Sequence, residues 1–187
     1  ILLKWSLVSA AFWGIIGHAY FFFSDAFSFD AIHTIAQSDV AWKISLGRFS
    51  QPLYKTYIRG NIQAPWLIGL CTILFLGLAV YFLCKCLNIH SKWSVFAIAG
   101  ILGVNLQVVV TIASYVHVTD SFMLAFLLEV IAVYLWKTYR KKKDLYLLAI
   151  GSILLAFSFG FYQAYVSAGV TLVLIVLLSE CFTSSSK

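Results

Sequence analysis

The sequence predicts an all-α polytopic membrane protein of about six transmembrane helices, and three observations carry that prediction. Of its 187 residues, 62% are hydrophobic and 11% charged, with a mean hydropathy of +0.94, against roughly 45–50% apolar and 25% charged in an ordinary soluble domain. Apolar runs recur along the chain at or near the length of a membrane span, which takes about 20 residues. None of them alternates with period two, so helices rather than a closed barrel must satisfy the backbone in lipid. These features exclude a soluble globular protein. The 13 Lys and Arg outnumber the 7 Asp and Glu, for a net charge of +6. They are scattered between apolar runs rather than gathered on one face, which excludes a nucleic-acid partner.

In chain order, Trp5 to Phe23 forms the first span. It stays as a helix rather than leaving as a signal peptide, because no small-residue cleavage site separates it from the acidic loop that follows. That loop, Ser24 to Ala64, holds most of the polar remainder. Further spans follow at Pro65 to Cys84, Trp93 to Ser114 and Val118 to Trp136. Two shorter runs, Leu145 to Phe159 and Ala164 to Ser179, are separated only by Gly160-Phe161-Tyr162-Gln163 and read as a tight helical hairpin. Cys71, Cys84, Cys86 and Cys181 fall in helices or at the inner surface, where thiols stay reduced. Cys84 and Cys86 with His90 fall short of the four ligands a structural zinc takes, so no metal site is expected.

Lys and Arg set the orientation. Lys4, Lys85, Lys92, Lys137, Arg140, Lys141, Lys142, Lys143 and Lys187 lie on one side, and Lys43, Arg48, Lys55 and Arg59 on the other. The excess places the N-terminus in the cytoplasm. The cluster from Lys137 to Lys143 reads as a cytoplasmic anchor, with anionic membrane lipids as a secondary partner.

The Ser24–Ala64 loop is too polar to span and too rich in Phe, Ile, Trp and Tyr to be a disordered linker. Interfacial helices are therefore expected in it. Phe29, Ile32, Ile35 and Ala36 recur at helical spacing after Ser28, which can cap a helix start. Pro52 suits a first helical position, and Leu53, Tyr54, Tyr57 and Ile58 then form one apolar face with Lys55 and Arg59 off it. Turns at Gly47 and Gly60 join and end these helices. The chemistry-bearing residues are Asp25, Asp30, His33, Asp39, Lys43, Arg48 and Arg59. Asp30 lies within one turn of His33, and a partly desolvated carboxylate there can take a proton from a hydroxyl. Arg48 can fork onto a phosphate. A base for a hydroxyl plus a guanidinium for a phosphate suggests group transfer from a phosphate leaving group. The plain alternative is a wet surface, with Asp39 and Lys43 an ordinary i,i+4 pair.

The run Phe22-Phe23-Ser24-Asp25-Ala26-Phe27-Ser28-Phe29-Asp30, then Trp42-Lys43-Ile44-Ser45-Leu46-Gly47-Arg48-Phe49, and later Gly160-Phe161-Tyr162-Gln163-Ala164, resembles the bacterial glucosyltransferase II family of O-antigen-modifying, serotype-converting enzymes. The resemblance covers nearly the whole chain and corresponds to the N-terminal part of the family. It implies a single transmembrane domain, residues 1–187, belonging to a larger enzyme, and inactive if complete at that length. It also implies a GT-C-like fold, a polyprenyl-phosphate-linked glucose donor and a lipid-linked O-antigen (lipopolysaccharide) acceptor, met at the periplasmic face of a bacterial inner membrane. Carried onto this chain, Asp30 or Asp25 deprotonates the attacking hydroxyl. Arg48, with Lys43 and Arg59, neutralises the departing phosphate, and the anomeric carbon inverts. Family members often carry a second acid directly after the Ser-x-Asp position, where this chain has Ala31, and that leaves both aspartates as candidates for the base. No cofactor is expected, with a divalent cation as an option.

Several other polar positions bear on the site. Asp120, in the turn between the third and fourth spans, is either an acceptor-sugar or cation ligand or a helix N-cap, and His117 lies beside it. Tyr162 and Gln163, with His33, complete the acceptor-side candidates. Glu129 reads as a protonated interhelical acid roughly 10 Å above the inner surface, counted from Trp136, with Ser152 at matching depth. His18 lies near the outer end of the first span. Two other function classes stand beside the enzyme: a small transporter or lipid flippase, marked by mid-membrane polar residues such as Asn105, Gln107 and Glu129, and a non-catalytic envelope-complex subunit.

Overall fold

The structure is a computed structural model and describes residues 1–24, 32 and 40–185. Among these every regular element is a helix, with no strand. The helices are α1 (Leu2–Phe23), α2 (Val40–Ser45), α3 (Ser50–Leu53, continued by a π-helical turn Tyr54–Ile58), α4 (Pro65–Leu87), α5 (Lys92–Gly103), α6 (Leu106–Tyr115), α7 (Thr119–Lys142), α8 (Leu145–Phe161) and α9 (Val166–Ser185). Single 3-10 turns, Val116–Val118 and Gln163–Tyr165, precede α7 and α9.

Four helical stretches are long and apolar enough to cross a membrane: Leu2–Phe23, Pro65–Cys86, Leu106–Lys142 and Gln163–Phe182. Lys92–Gly103 and Leu145–Phe161 are apolar but shorter. The third expected span is therefore not one helix. It breaks at Val104–Asn105 because Asn105 caps in both directions. Its Oδ1 accepts from Val108 N at 3.1 Å to start α6, and its Nδ2 donates to Ile101 O at 3.0 Å and Leu102 O at 3.2 Å to close α5. Such local side-chain bonds are how Asn competes with a continuing helix.

α1 packs on α4, α4 on α7 and α7 on α8, with α5 against α1 and α9 against α7. α1 also holds the broken helix. The imidazole Nε2 of buried His18 donates to Gly103 O at 2.7 Å, and Trp13 Nε1 donates to Phe96 O at 3.0 Å. His18 thus serves a carbonyl freed by the break.

The expected hairpin is also revised. α8 and α9 each lean on α7 and diverge from one another, leaving a cavity of about 390 Å³ between the three helices, with Glu129 in its wall. Glu129 is buried and hydrogen-bonded with Ser158 Oγ at 2.8 Å, not with Ser152, whose hydroxyl donates to Leu148 O in its own helix. The matching of Glu129 with Ser152 by depth fails because α7 runs on past Trp136 to Lys142, so its register against α8 is set from there. Glu129 is as far from Lys142 as Ser158 is from Leu145 at the start of the neighbouring helix, about 20 Å along each. At the same end, Lys137 turns inward instead of toward solvent: its Nζ is buried and donates to Cys86 O in the last turn of α4.

Replacing His18 by Ala leaves the Gly103 carbonyl buried without its donor. We expect a loss of about 1–3 kcal/mol, measured by unfolding of the detergent-purified protein. His18→Gln, with an amide donor in reach, should recover part of it.

Candidate functional site at the loop end of the bundle

Residues 40–64 of the polar loop pack against the end of the bundle where α1 finishes and α4 and α7 begin. They start with α2 and a turn in which Gly47 N donates to Ile44 O at 2.8 Å and Arg48 N to Lys43 O at 2.9 Å. Gly47 has φ +77, a left-handed conformation that disfavours other residues. α3 then passes into the π-helical turn, closed by Arg59 N donating to Tyr54 O at 3.0 Å.

That turn changes which residues face inward. The spacing predicts Leu53, Tyr54, Tyr57 and Ile58 on one apolar face, with Arg59 off it. Instead Tyr54 and Arg59 are buried, at 3% and 6% exposure, while Tyr57 and Ile58 stand out at 81% and 74%. In an α-helix, residues five apart point about 140° away from each other. The wider i→i+5 turn brings Tyr54 and Arg59 onto one target.

The target is Asp120, in the first turn of α7 and fully buried. Arg59 Nη1 lies 2.8 Å from Oδ1 and 3.0 Å from Oδ2, Tyr54 Oη donates to Oδ2 at 2.9 Å, and Ser121 N donates to Oδ1 at 2.8 Å. The same Arg59 nitrogen reaches His117 O at 3.0 Å, and Gln51 Nε2 reaches Ser121 Oγ at 3.3 Å. These donors fill both carboxylate oxygens. Burial, the Asp120 charge and this hydrogen bond together push the Tyr54 phenol above its ordinary range.

The other cations of the loop gather beside the pair. Lys43, half-buried, is pushed down to about 8, first by burial and then by Lys55, Arg59 and Arg48. Lys55 is lowered by burial and by Arg59. The guanidinium of Arg48 lies over the Tyr162 ring, 4.8 Å from its centroid, and its Nε is buried with no hydrogen-bond partner among the described residues. Tyr162 in turn stacks on Phe122 of α7, 4.6 Å between centroids. Gln163 Nε2 donates to Leu46 O at 2.7 Å.

Of the residues singled out from sequence, Lys43, Arg48, Arg59, Asp120, His117, Tyr162 and Gln163 meet at this end. His117 is buried in the turn before α7, with Nδ1 unpartnered among the described residues. Asp25, Asp30, His33 and Asp39 lie outside the described residues. No group of three metal-ligating side chains occurs among the described residues. The spacing argument overlooked Tyr54, Lys55, Gln51 and Phe122. Only Lys55 carried a visible signal, as a fourth cation in a loop already holding three.

Helices of spanning length, with a cluster of cations among the described residues at one end, define a membrane protein. The model of one protein family, described as glucosyl transferase GtrII, matches residues 19–187. The chain belongs to that family of glucosyltransferases, as its loop and turn motifs imply. Searches of curated proteins and of solved structures return no match.

Asp120→Ala strands the Arg59 guanidinium in a dry site and should cost about 3–5 kcal/mol. Removing both charges with Asp120→Ala and Arg59→Met should cost less than the single change. Tyr54→Phe should cost about 1 kcal/mol. Unfolding midpoints in detergent check all three.

Proposed function

We propose that the protein moves glucose from a polyprenyl-phosphate-linked donor to lipid-linked O-antigen at the periplasmic face of a bacterial inner membrane. The observation that carries this reading is the clustering of positive charge among the described residues at the loop end. Arg59 is neutralised by Asp120, while Lys43, Arg48 and Lys55 have no carboxylate partner among the described residues. Gathering like charges raises the energy of the free site, and an anion relieves it. The exposed Trp42, Ile44, Leu53, Tyr57, Ile58 and Trp66 around them suit a site at the headgroup level. The anion's apolar tail would lie in lipid.

In this reading an acceptor hydroxyl attacks the glucose anomeric carbon and gives its proton to Asp30 or Asp25. The bond from that carbon to the phosphate oxygen breaks on the opposite side, its electron pair staying with the polyprenyl phosphate, and the configuration inverts. Arg48, with Lys43, offsets the charge developing on the phosphate. Phe122 backs Tyr162, which stands with His117 on the acceptor side. Asp120 acts by holding Arg59 and the loop in place.

Glucose transfer from synthetic polyprenyl phosphoglucose, measured in membranes at matched expression, tests the scheme. One of Asp30→Asn and Asp25→Asn should abolish transfer with donor binding kept, and Arg48→Ala should weaken donor use by about tenfold or more. Full transfer in all three variants would sink it. Lys43 is a cation below pH about 8 and neutral above it. Donor kcat/KM, which reports the free enzyme, should therefore fall as pH rises through about 8, and Lys43→Arg should abolish that fall.

A further inference from the structure

Four consecutive residues at the C-terminal end of α8, two inside the helix and two beyond it, engage the loop segment that carries Arg48. At Gly160, an added Cβ would lie 2.5 Å from Phe49 Cζ and would also overlap Ser50 Oγ, so α8 and the loop approach as only glycine allows. Phe161 is buried and packs edge-on to Tyr54, 5.8 Å between centroids. Tyr162 lies under the Arg48 guanidinium at 4.8 Å. Gln163 Nε2 donates to Leu46 O at 2.7 Å, across 117 residues of sequence. The turn is tight from the other side too, since a Cβ on Gly47 would lie 2.9 Å from that same amide nitrogen.

The amide that could meet a sugar is thus spent on the backbone immediately before Gly47-Arg48. We infer that Gly160-Phe161-Tyr162-Gln163 is a latch that fixes the Gly47 turn and aims Arg48, which makes Gln163 a positioning residue of the transfer site. The role of Arg48 in this inference rests on the phosphate-binding reading above. Leu46 O is the last carbonyl before the glycine, so holding it sets the direction in which the chain leaves the turn. The Tyr162 face then fixes the guanidinium against swinging into solvent, by a cation–π contact. Binding energy that would otherwise be lost to ordering a long, flexible side chain is kept for the ligand.

Binding of a short-chain isoprenyl monophosphate to the detergent-purified protein tests the latch, alongside donor KM and kcat in membranes. Gln163→Ala and Gln163→Glu, which both lose the donated bond, should weaken binding about five- to tenfold and raise KM more than they lower kcat. Arg48→Ala combined with Gln163→Ala should bind no worse than Arg48→Ala alone, because Gln163 acts through Arg48. Losses that add in the double variant would overturn the latch, since Gln163 would then touch the ligand itself. A second measurement reads the latch without any ligand: Leu46→Cys with Gln163→Cys, joined by a short bifunctional thiol reagent, with each single cysteine as control. Cross-linking that needs both cysteines supports the latch even where Arg48→Ala binds normally, a result that would remove the phosphate reading alone. No cross-link overturns the latch.

Discussion

Asp120 is a carboxylate with no access to water, placed where a membrane protein can least tolerate an uncompensated charge. A buried acid persists only when paired and hydrogen-bonded, and here the pairing is drawn from a distant part of the chain. Arg59 and Tyr54 reach it from the polar loop, and Ser121 N–H reaches it from its own helix. The segment from Ser50 to Gln63 is thereby fixed against the start of α7. Tyr54 then supports Phe161, so the turn after α8 takes its place from the same carboxylate. The cationic cluster exists as a cluster because this one pair sets where its members stand.

Elsewhere the bundle is tied in a consistent manner, by side-chain donors meeting backbone carbonyls of another helix. Trp13 reaches Phe96, His18 reaches Gly103, Lys137 reaches Cys86 and Ser158 reaches Ala125. In lipid there is little hydrophobic drive between helices, and packing with interhelical hydrogen bonds must hold them. Two of these ties fall where a helix leaves carbonyls open: the break after Gly103 and the last turn of α4. Helix ends, costly within a low-dielectric bundle, are thus used as points of attachment.

The apolar runs were legible because hydropathy depends on composition alone. The break at Asn105 was not, because one Asn hardly changes the mean of an apolar window, and only its two-way capping shows that it interrupts the helix. Glu129 was legible as a buried acid, yet its partner was misread, since its depth depends on where α7 ends, and the charged residues from Lys137 to Lys142 continue the helix. Lys43 and Arg48 could be picked out as cations near a turn. Arg59 and Asp120 could not be paired, because 61 residues separate them and a periodic reading of the loop turns Arg59 outward. The Tyr162-Gln163 element was visible as a motif, but its partner, a backbone carbonyl, leaves no trace in side-chain identity.

The π-helical turn at Tyr54–Ile58 carries a consequence for chain length. Residues four apart in an α-helix lie only about 40° from one another, so a chain with one residue fewer between Tyr54 and Arg59 would bring the same two groups to Asp120 through a regular α-helical turn. The turn therefore behaves as a single-residue insertion absorbed within a helix without disturbing the ion pair. Across this stretch the exposed Tyr57 and Ile58 face away from the ion pair, and the count between the two anchors is elastic by one deletion. An added residue would have no comparable helical state to fall into, and Arg59 would be carried round the helix away from its carboxylate.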